Sequence, residues 1–406
     1  MIPETRAAAP PASWRAPLWV LGVLPLVLIA ALVGWIVRSG PADAVRGSGY
    51  PPVERLTFQR VTLAPGTITA TVLNDGPDPV TIAQVAVDDA FWTFSASSGQ
   101  RLPHLGRTSL TVPYPWVHGE AHVLRVITST GVTFDHEIPV AVSTPAPSLG
   151  SFGLYALIGL YVGVLPVTIG LLWYPLVARL GQAGLDFVIA LTVGLLGFLL
   201  VDAAHEATGV AATMPESFQG FVLFAFAAVA SYLGLEGFGA WLAGRQRAAG
   251  RAWVLALLVA VGIGLHNFGE GLAIGAAFAL GEAALGTLLI VGFTLHNTTE
   301  GLAIVAPLAR DRQPGARAPI GALARLGLIG GVPTIAGAWL GGFTYSPVWA
   351  VVFLALGVGA IAQVMVQIVR QLADRRSAME YLTAPPVLAG LAAGFVVMYV
   401  TGMLIG

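Results

Sequence analysis

Residues 265–274 read Leu265-His266-Asn267-Phe268-Gly269-Glu270-Gly271-Leu272-Ala273-Ile274, and residues 295–304 read Leu295-His296-Asn297-Thr298-Thr299-Glu300-Gly301-Leu302-Ala303-Ile304. The two decapeptides nearly repeat, and each lies in the middle of a long apolar run, near 252–280 and 284–308. Runs of that length are enough to cross the roughly 30 Å hydrocarbon layer of a bilayer as helices. Mid-span is then a costly place for an ionisable side chain, at roughly 3 kcal/mol per central charge. Two matched His-Asn-x-x-Glu-Gly sets at that depth call for something that offsets the cost. A bound metal ion does so.

Helix geometry sharpens the expectation. At about 100° per residue, His266 sits at roughly 0°, Asn267 at roughly 100° and Glu270 at roughly 40°. The glutamate therefore points between its histidine and its asparagine, one turn along, and His296, Asn297 and Glu300 repeat the arrangement. Two such helices facing each other offer adjoining pockets. One consists of His266, Glu270, His296 and Glu300, the other of Asn267, Glu270, Asn297 and Glu300. Imidazole with carboxylate suits zinc, iron or manganese better than calcium. Gly264, Gly269, Gly271 and Gly301 flank these residues and allow close helix approach.

The rest of the chain fits a membrane setting. Of 406 residues, 56% are hydrophobic and 10% charged, with mean hydropathy +0.79. Soluble domains carry about a quarter charged residues, so most of this surface must face lipid. A net charge of −1 and the lack of a basic block argue against nucleic acid as a partner. The absence of cysteine excludes disulfides and thiolate ligands and leaves His, carboxylate and amide groups for any metal.

From residue 152 onward eight apolar spans are expected, near 152–175, 185–203, 217–243, 252–280, 284–308, 319–342, 347–370 and 386–405. Arginines fall in every second connection: Arg179, then Arg245, Arg247 and Arg251, then Arg310, Arg312 and Arg317, then Arg375 and Arg376. The loops near 204–216, 281–283 and 343–346 have none. By the positive-inside rule the arginine-bearing loops are cytoplasmic and the C-terminus is outside. A ninth run, 18–37, follows a short cytoplasmic segment (1–17) with Arg6 and Arg15. It reads as an uncleaved anchor, or alternatively as a signal segment with Ala42 and Ala44 near its cleavage site.

Either way, residues 46–146 are exported. They carry β-rich runs at Leu56–Leu63, Thr67–Leu73, Val80–Val87, Ser109–Val112, Ala121–Thr128 and Val132–Val142, separated by turn clusters such as Asn74-Asp75-Gly76-Pro77. That spacing predicts an Ig-like β-sandwich. The expected fold is thus mainly α and polytopic, an eight-helix bundle over 152–406 preceded by one membrane helix and a β domain. The expected location is a bacterial inner membrane.

The paired His-Asn-x-x-Glu-Gly segments resemble the fourth and fifth helices of the ZIP (Zrt/Irt-like) metal transporters, and the resemblance extends over the eight spans. It implies uptake of a divalent metal (zinc, iron, manganese or cadmium) toward the cytoplasm, with no prosthetic group. It also implies a binuclear site between the two helices and a homodimer. His266, Asn267, Glu270, His296, Asn297 and Glu300 match the family's ligands. The chain departs from the family at Gly269 and Thr299, which replace motif prolines, and at Val332, where some members carry glutamate. No methionine lies near Gly194, where some members supply one.

Asp202, His205 and Glu206 end the second predicted span and resemble an acidic extracytoplasmic entrance, able to attract incoming cations. His118, Glu120 and His122 fall at period two, as on one strand face. Glu236, Gln363 and Gln367 read as helix-packing contacts. Two other functions use a buried metal equally well. One is a metal-dependent intramembrane enzyme, the other a metal-sensing receptor whose working part is the β domain.

Overall fold

The computed structural model describes residues 18–39, 51–245, 251–279, 283–310, 320–344, 346–373 and 383–403. It divides into two units, Met1–Val53 and Glu54–Gly406. In the first, Leu18–Ser39 (α1) is a 22-residue apolar helix, about 33 Å long at 1.5 Å per residue. Arg6, Arg15, Ala42 and Ala44 lie outside the described residues, as do 246–250, 311–319 and 374–382, which hold several arginines of the loop pattern.

The second unit begins with strands where alternating apolar residues predicted them: β1 Leu56–Ala64, β2 Thr67–Asn74, β3 Val80–Val87, β7 Arg107–Val112, β8 His122–Thr128 and β9 Thr133–Ile138. Three short strands join them, β4 Ala90–Trp92, β5 Ser95–Ala96 and β6 Arg101–Leu102. They form two antiparallel sheets, β1-β2-β7-β5 and β4-β3-β8-β9, with β6 pairing β3. Val61, Ile68, Val72 and Leu110 of one sheet share a buried core with Ile82, Val85, Leu124 and Val126 of the other.

The two-residue turn between β3 and β4 places Asp88 and Asp89 at positive φ, 51° and 63°. Asn-Gly is the usual choice for such a hairpin, but here both carboxylates are in use. Asp88 accepts from the Val123 amide (2.9 Å), His122 Nδ1 (2.7 Å) and the Tyr114 hydroxyl (2.7 Å), and Asp89 accepts from Arg125 (2.6 Å). Burial pushes the Asp88 carboxyl up, yet those donors outweigh it and hold it below its ordinary value. His122 is therefore a buried anchor. His118 and Glu120 lie in the exposed turn around Gly119, whose φ of +86° interrupts the strand, so the three residues do not share a face.

Among the described residues of the second unit, eight helices are long and apolar enough to cross a membrane. They are α2 Leu149–Val177, α3 Gln182–Ala212, α4 Gly220–Arg245, α5 Arg251–Ala279, α6 Ala283–Arg310, the broken pair α7 Ile320–Gly331 and α8 Pro333–Thr344, α9 Pro347–Ala373, and α10 Pro385–Met403. A multi-pass membrane protein follows from them. A reciprocal cap starts α2: the Ser151 amide donates to Ser148 Oγ (3.1 Å) and the Ser148 amide to Ser151 Oγ (2.9 Å). Helix α3 runs nine residues past the expected end at 203, because Val210 and Ala211 still pack against the bundle. Asp202, His205 and Glu206 thus lie inside a helix and not at its end.

Helices α5 and α8 meet backbone to backbone. A Cβ on Gly337 would lie 2.9 Å from the Leu272 amide nitrogen, and one on Gly341 2.8 Å from that of Ala276. Gly170 of α2 and Gly301 of α6 make a similar crossing, each placing a Cβ 2.7 Å from the other's Cα. Gly264 faces Pro333 and Gly269 faces Leu354, so all four motif-flanking glycines stand at helix contacts. Glu236 of α4 accepts from Arg370 (2.6 Å) and Gln363 (3.2 Å) of α9, a packing contact between helices.

The β domain and the bundle belong to the same unit, and hydrogen bonds among the described residues join them. Arg55 pairs with Glu216 (2.6 Å), Ser217 Oγ donates to the Asp75 carbonyl (3.2 Å), and Arg60 donates to the Phe343 carbonyl (2.7 Å). All three lie at helix ends whose connections carry no arginine. Gly337→Val should cost about 2–3 kcal/mol through overpacking, whereas Gly234→Ala, with nothing within 4 Å, should be neutral. Thermal unfolding of the detergent-solubilised protein checks this; equal effects would contradict the backbone contact.

Candidate metal centre

Both near-repeats fall mid-helix, on α5 and α6, and the helices run without interruption through Gly269 and Thr299. All six polar motif residues are buried, none exposing more than 6% of its surface. Glu270 is the hub. His266 Nε2 donates to its Oε1 at 3.2 Å, His296 Nε2 donates to the same oxygen, and Asn297 Nδ2 donates to its Oε2 at 2.9 Å.

The asparagine amides are oriented by main-chain carbonyls. Asn297 Nδ2 also donates to the Val162 carbonyl (2.9 Å), and Asn267 Nδ2 donates to the Gly330 carbonyl (3.0 Å). Val162 is free to accept because the residue four positions on is Pro166, which has no N–H. The chain takes a π-helical turn there, Leu160–Val164. Gly330 lies at the break before Pro333. Pro166 on one span and the helix break before Pro333 on another thus leave the acceptors that the motif asparagines use, and the motif segments themselves stay helical.

With their donors engaged, both asparagines are left with an unpartnered oxygen. Among the buried side-chain atoms lacking a hydrogen-bond partner are Asn267 Oδ1, Asn297 Oδ1 and both carboxylate oxygens of Glu300. Each unsatisfied buried group costs about 1–3 kcal/mol, more if charged, and here four belong to one constellation. All four are acceptors, so the missing partner is electron-poor. A single proton bridges two of them at most; a metal ion can draw on several. Ligand atoms of His266, His296 and Glu300 lie within 4.8 Å of one another. Ligands about 2.1 Å from a tetrahedral ion stand roughly 3.4 Å apart, so rotamer adjustments of about 1 Å close the set.

The two expected pockets therefore share one buried cluster. Its first set has ligand atoms within reach of one ion, with Glu270 held by the imidazoles. In the second set Asn297 and Glu270 touch directly.

A cavity of about 690 Å³ has His296 in its wall together with Asp202, His205, Glu206, Phe293 and Met398. The candidate entrance residues therefore line the same space as His296, one of the buried motif residues. Asp202, His205 and Glu206 recur at the three- and four-residue spacing that puts them on one helix face. Met398 was not singled out from the sequence. It arrives from α10, is 3% exposed, and sets its sulfur 4.0 Å from Thr299 Oγ1. Nothing separates such a methionine from an ordinary lipid-span residue in the sequence. The carbonyls of Val162 and Gly330 were also missed, although Pro166 and Pro333 marked their neighbourhoods.

No protein-family model matches the chain, and neither does any curated protein. Glu300→Gln replaces a carboxylate that has no hydrogen-bond partner with a neutral amide. In the presence of chelator it should stabilise the protein by about 1–3 kcal/mol, read as a higher unfolding temperature. A lower one would contradict the lack of a partner for Glu300.

Proposed function

We propose that the chain carries divalent transition-metal ions, zinc, iron, manganese or cadmium, across a membrane toward the cytoplasm, as its resemblance to ZIP transporters implies. One observation carries this reading: four unpartnered acceptor oxygens and two imidazoles gather between two spanning helices, beside a cavity lined by Asp202 and Glu206. A merely structural polar cluster would be internally satisfied, because lipid offers no water to satisfy it.

In this mechanism Asp202, His205 and Glu206 raise the local cation concentration and take over part of the ion's hydration. The ion then passes along the cavity to His296, and His266 and Glu300 complete its ligand set. Glu270 exchanges its hydrogen bonds with the imidazoles for a bond to the metal, and the Asn267 and Asn297 oxygens take part in the adjoining pocket. Neutral imidazole is required, so protons compete with metal. The β domain, an Ig-like sandwich in this reading, lies outside, where it meets the arginine-free helix ends.

Radioactive zinc, manganese and iron uptake into proteoliposomes tests the proposal. Saturable uptake is expected in the wild type, and at least a hundredfold loss in His266→Ala/Glu300→Ala, since two ligands at about 1.4 kcal/mol or more each are removed. Uptake should also fall as the pH drops from 7 to 5. Tight binding without flux in well-folded, oriented vesicles would instead favour an enzyme or a sensor.

A further inference from the structure

The contact between Arg60 and the Phe343 carbonyl is built at some cost to the β domain. Strand β1 pairs Phe58 with Val72 and then Arg60 with Thr71, so Gln59 is an extra residue, a β-bulge. Before it Leu56 and Phe58 face the core; after it Val61 and Leu63 do. Without the bulge, simple alternation would send Arg60 inward with Leu56 and Phe58. Bulges commonly re-aim a side chain in this way. Here the re-aimed group is a cation, and it reaches the C-terminal end of α8, where the last carbonyls lack helical partners and the dipole is negative.

The far side of that contact leads to the motif. Phe343 packs against Phe152 and Tyr155, with ring centroids 4.4 and 5.1 Å apart. Along α8, Gly337 and Gly341 lock onto the backbone of Phe268, Leu272 and Ala276 on α5. Just before α8 begins, the Gly330 carbonyl holds the Asn267 amide. The segment is thus pinned by Arg60 at one end and tied to the metal centre at the other. The Arg55–Glu216 pair is far more exposed, and such surface pairs contribute little.

We propose that the β domain braces the metal centre, with Arg60 as the positioning residue that holds α8, and through it α5, in register. The proposal rests on the metal-carrier reading above. It assigns to the exported domain a task in binding that requires no ligand of its own.

The test uses the full-length protein in detergent. Arg60→Met keeps the apolar stem and removes the donor, and Arg60→Lys restores one. Zinc titration by calorimetry should give roughly three- to tenfold weaker binding for Arg60→Met, within the range for residues that modulate a distant site. Arg60→Lys should recover most of the loss, and Arg107→Ala, an exposed arginine on β7, should match the wild type. Hydrogen exchange at residues 268–276 should speed up in Arg60→Met. By reciprocity, zinc should slow exchange in β1 of the unaltered protein, a readout that needs no variant. Wild-type affinity and exchange in Arg60→Met would overturn the brace. Absence of zinc binding in the wild type would overturn the carrier reading instead, and the exchange at 268–276 would still decide the brace.

Discussion

Inside a bilayer no water completes an unmade hydrogen bond, and this constraint governs the whole helical unit. Most of the chain meets it with regular helix. Two of the places that do not are informative, because each exposes a carbonyl that a motif asparagine meets. Pro166 frees the Val162 carbonyl, and Asn297 satisfies it. The break before Pro333 presents the Gly330 carbonyl, and Asn267 satisfies that one. Four of the atoms left unsatisfied, Asn267 Oδ1, Asn297 Oδ1 and both Glu300 carboxylate oxygens, belong to the motif residues and are all acceptors; Tyr155, Thr334 and Gln363 on other helices also keep an unpartnered atom.

The packing explains why this arrangement holds its shape. Polar side chains on neighbouring membrane helices are spaced by the closeness of the backbones, and glycine sets the closest spacing. Gly337 and Gly341 on one side of α5, and Gly170 against Gly301 on α6, bring both motif helices against partners at near backbone contact. Only at that separation can a short asparagine amide span from one helix to a carbonyl on another. The glycines and the asparagines are therefore parts of a single device. The β domain adds to it from the side, through one strand whose bulge turns a cation onto the end of α8.

Much of this was legible in the sequence, for reasons that can be named. The membrane spans and the principal strands emerged because lipid and the sandwich core each impose a strong apolar pattern. The six motif residues stood out because ionisable groups mid-span are rare. Asp202, His205 and Glu206 were placed at a helix end because polar residues usually mark one; here they line a cavity inside a longer helix. His118, Glu120 and His122 looked like a strand face because period two carried through Gly119, whose positive φ the sequence does not display. Val162, Gly330 and Met398 were invisible. Two act through backbone carbonyls that every residue has, and the third has a side chain indistinguishable from a lipid-span filler.

The most direct measurement is zinc-edge X-ray absorption on the full-length protein loaded with one equivalent of zinc. The expected spectrum has nitrogen and oxygen neighbours at about 2.0–2.2 Å and multiple scattering from two imidazoles, which disappears in His266→Ala/His296→Ala. A spectrum unchanged by that double substitution would place the metal elsewhere, on the histidines of the β domain, and would contradict a centre between the two helices.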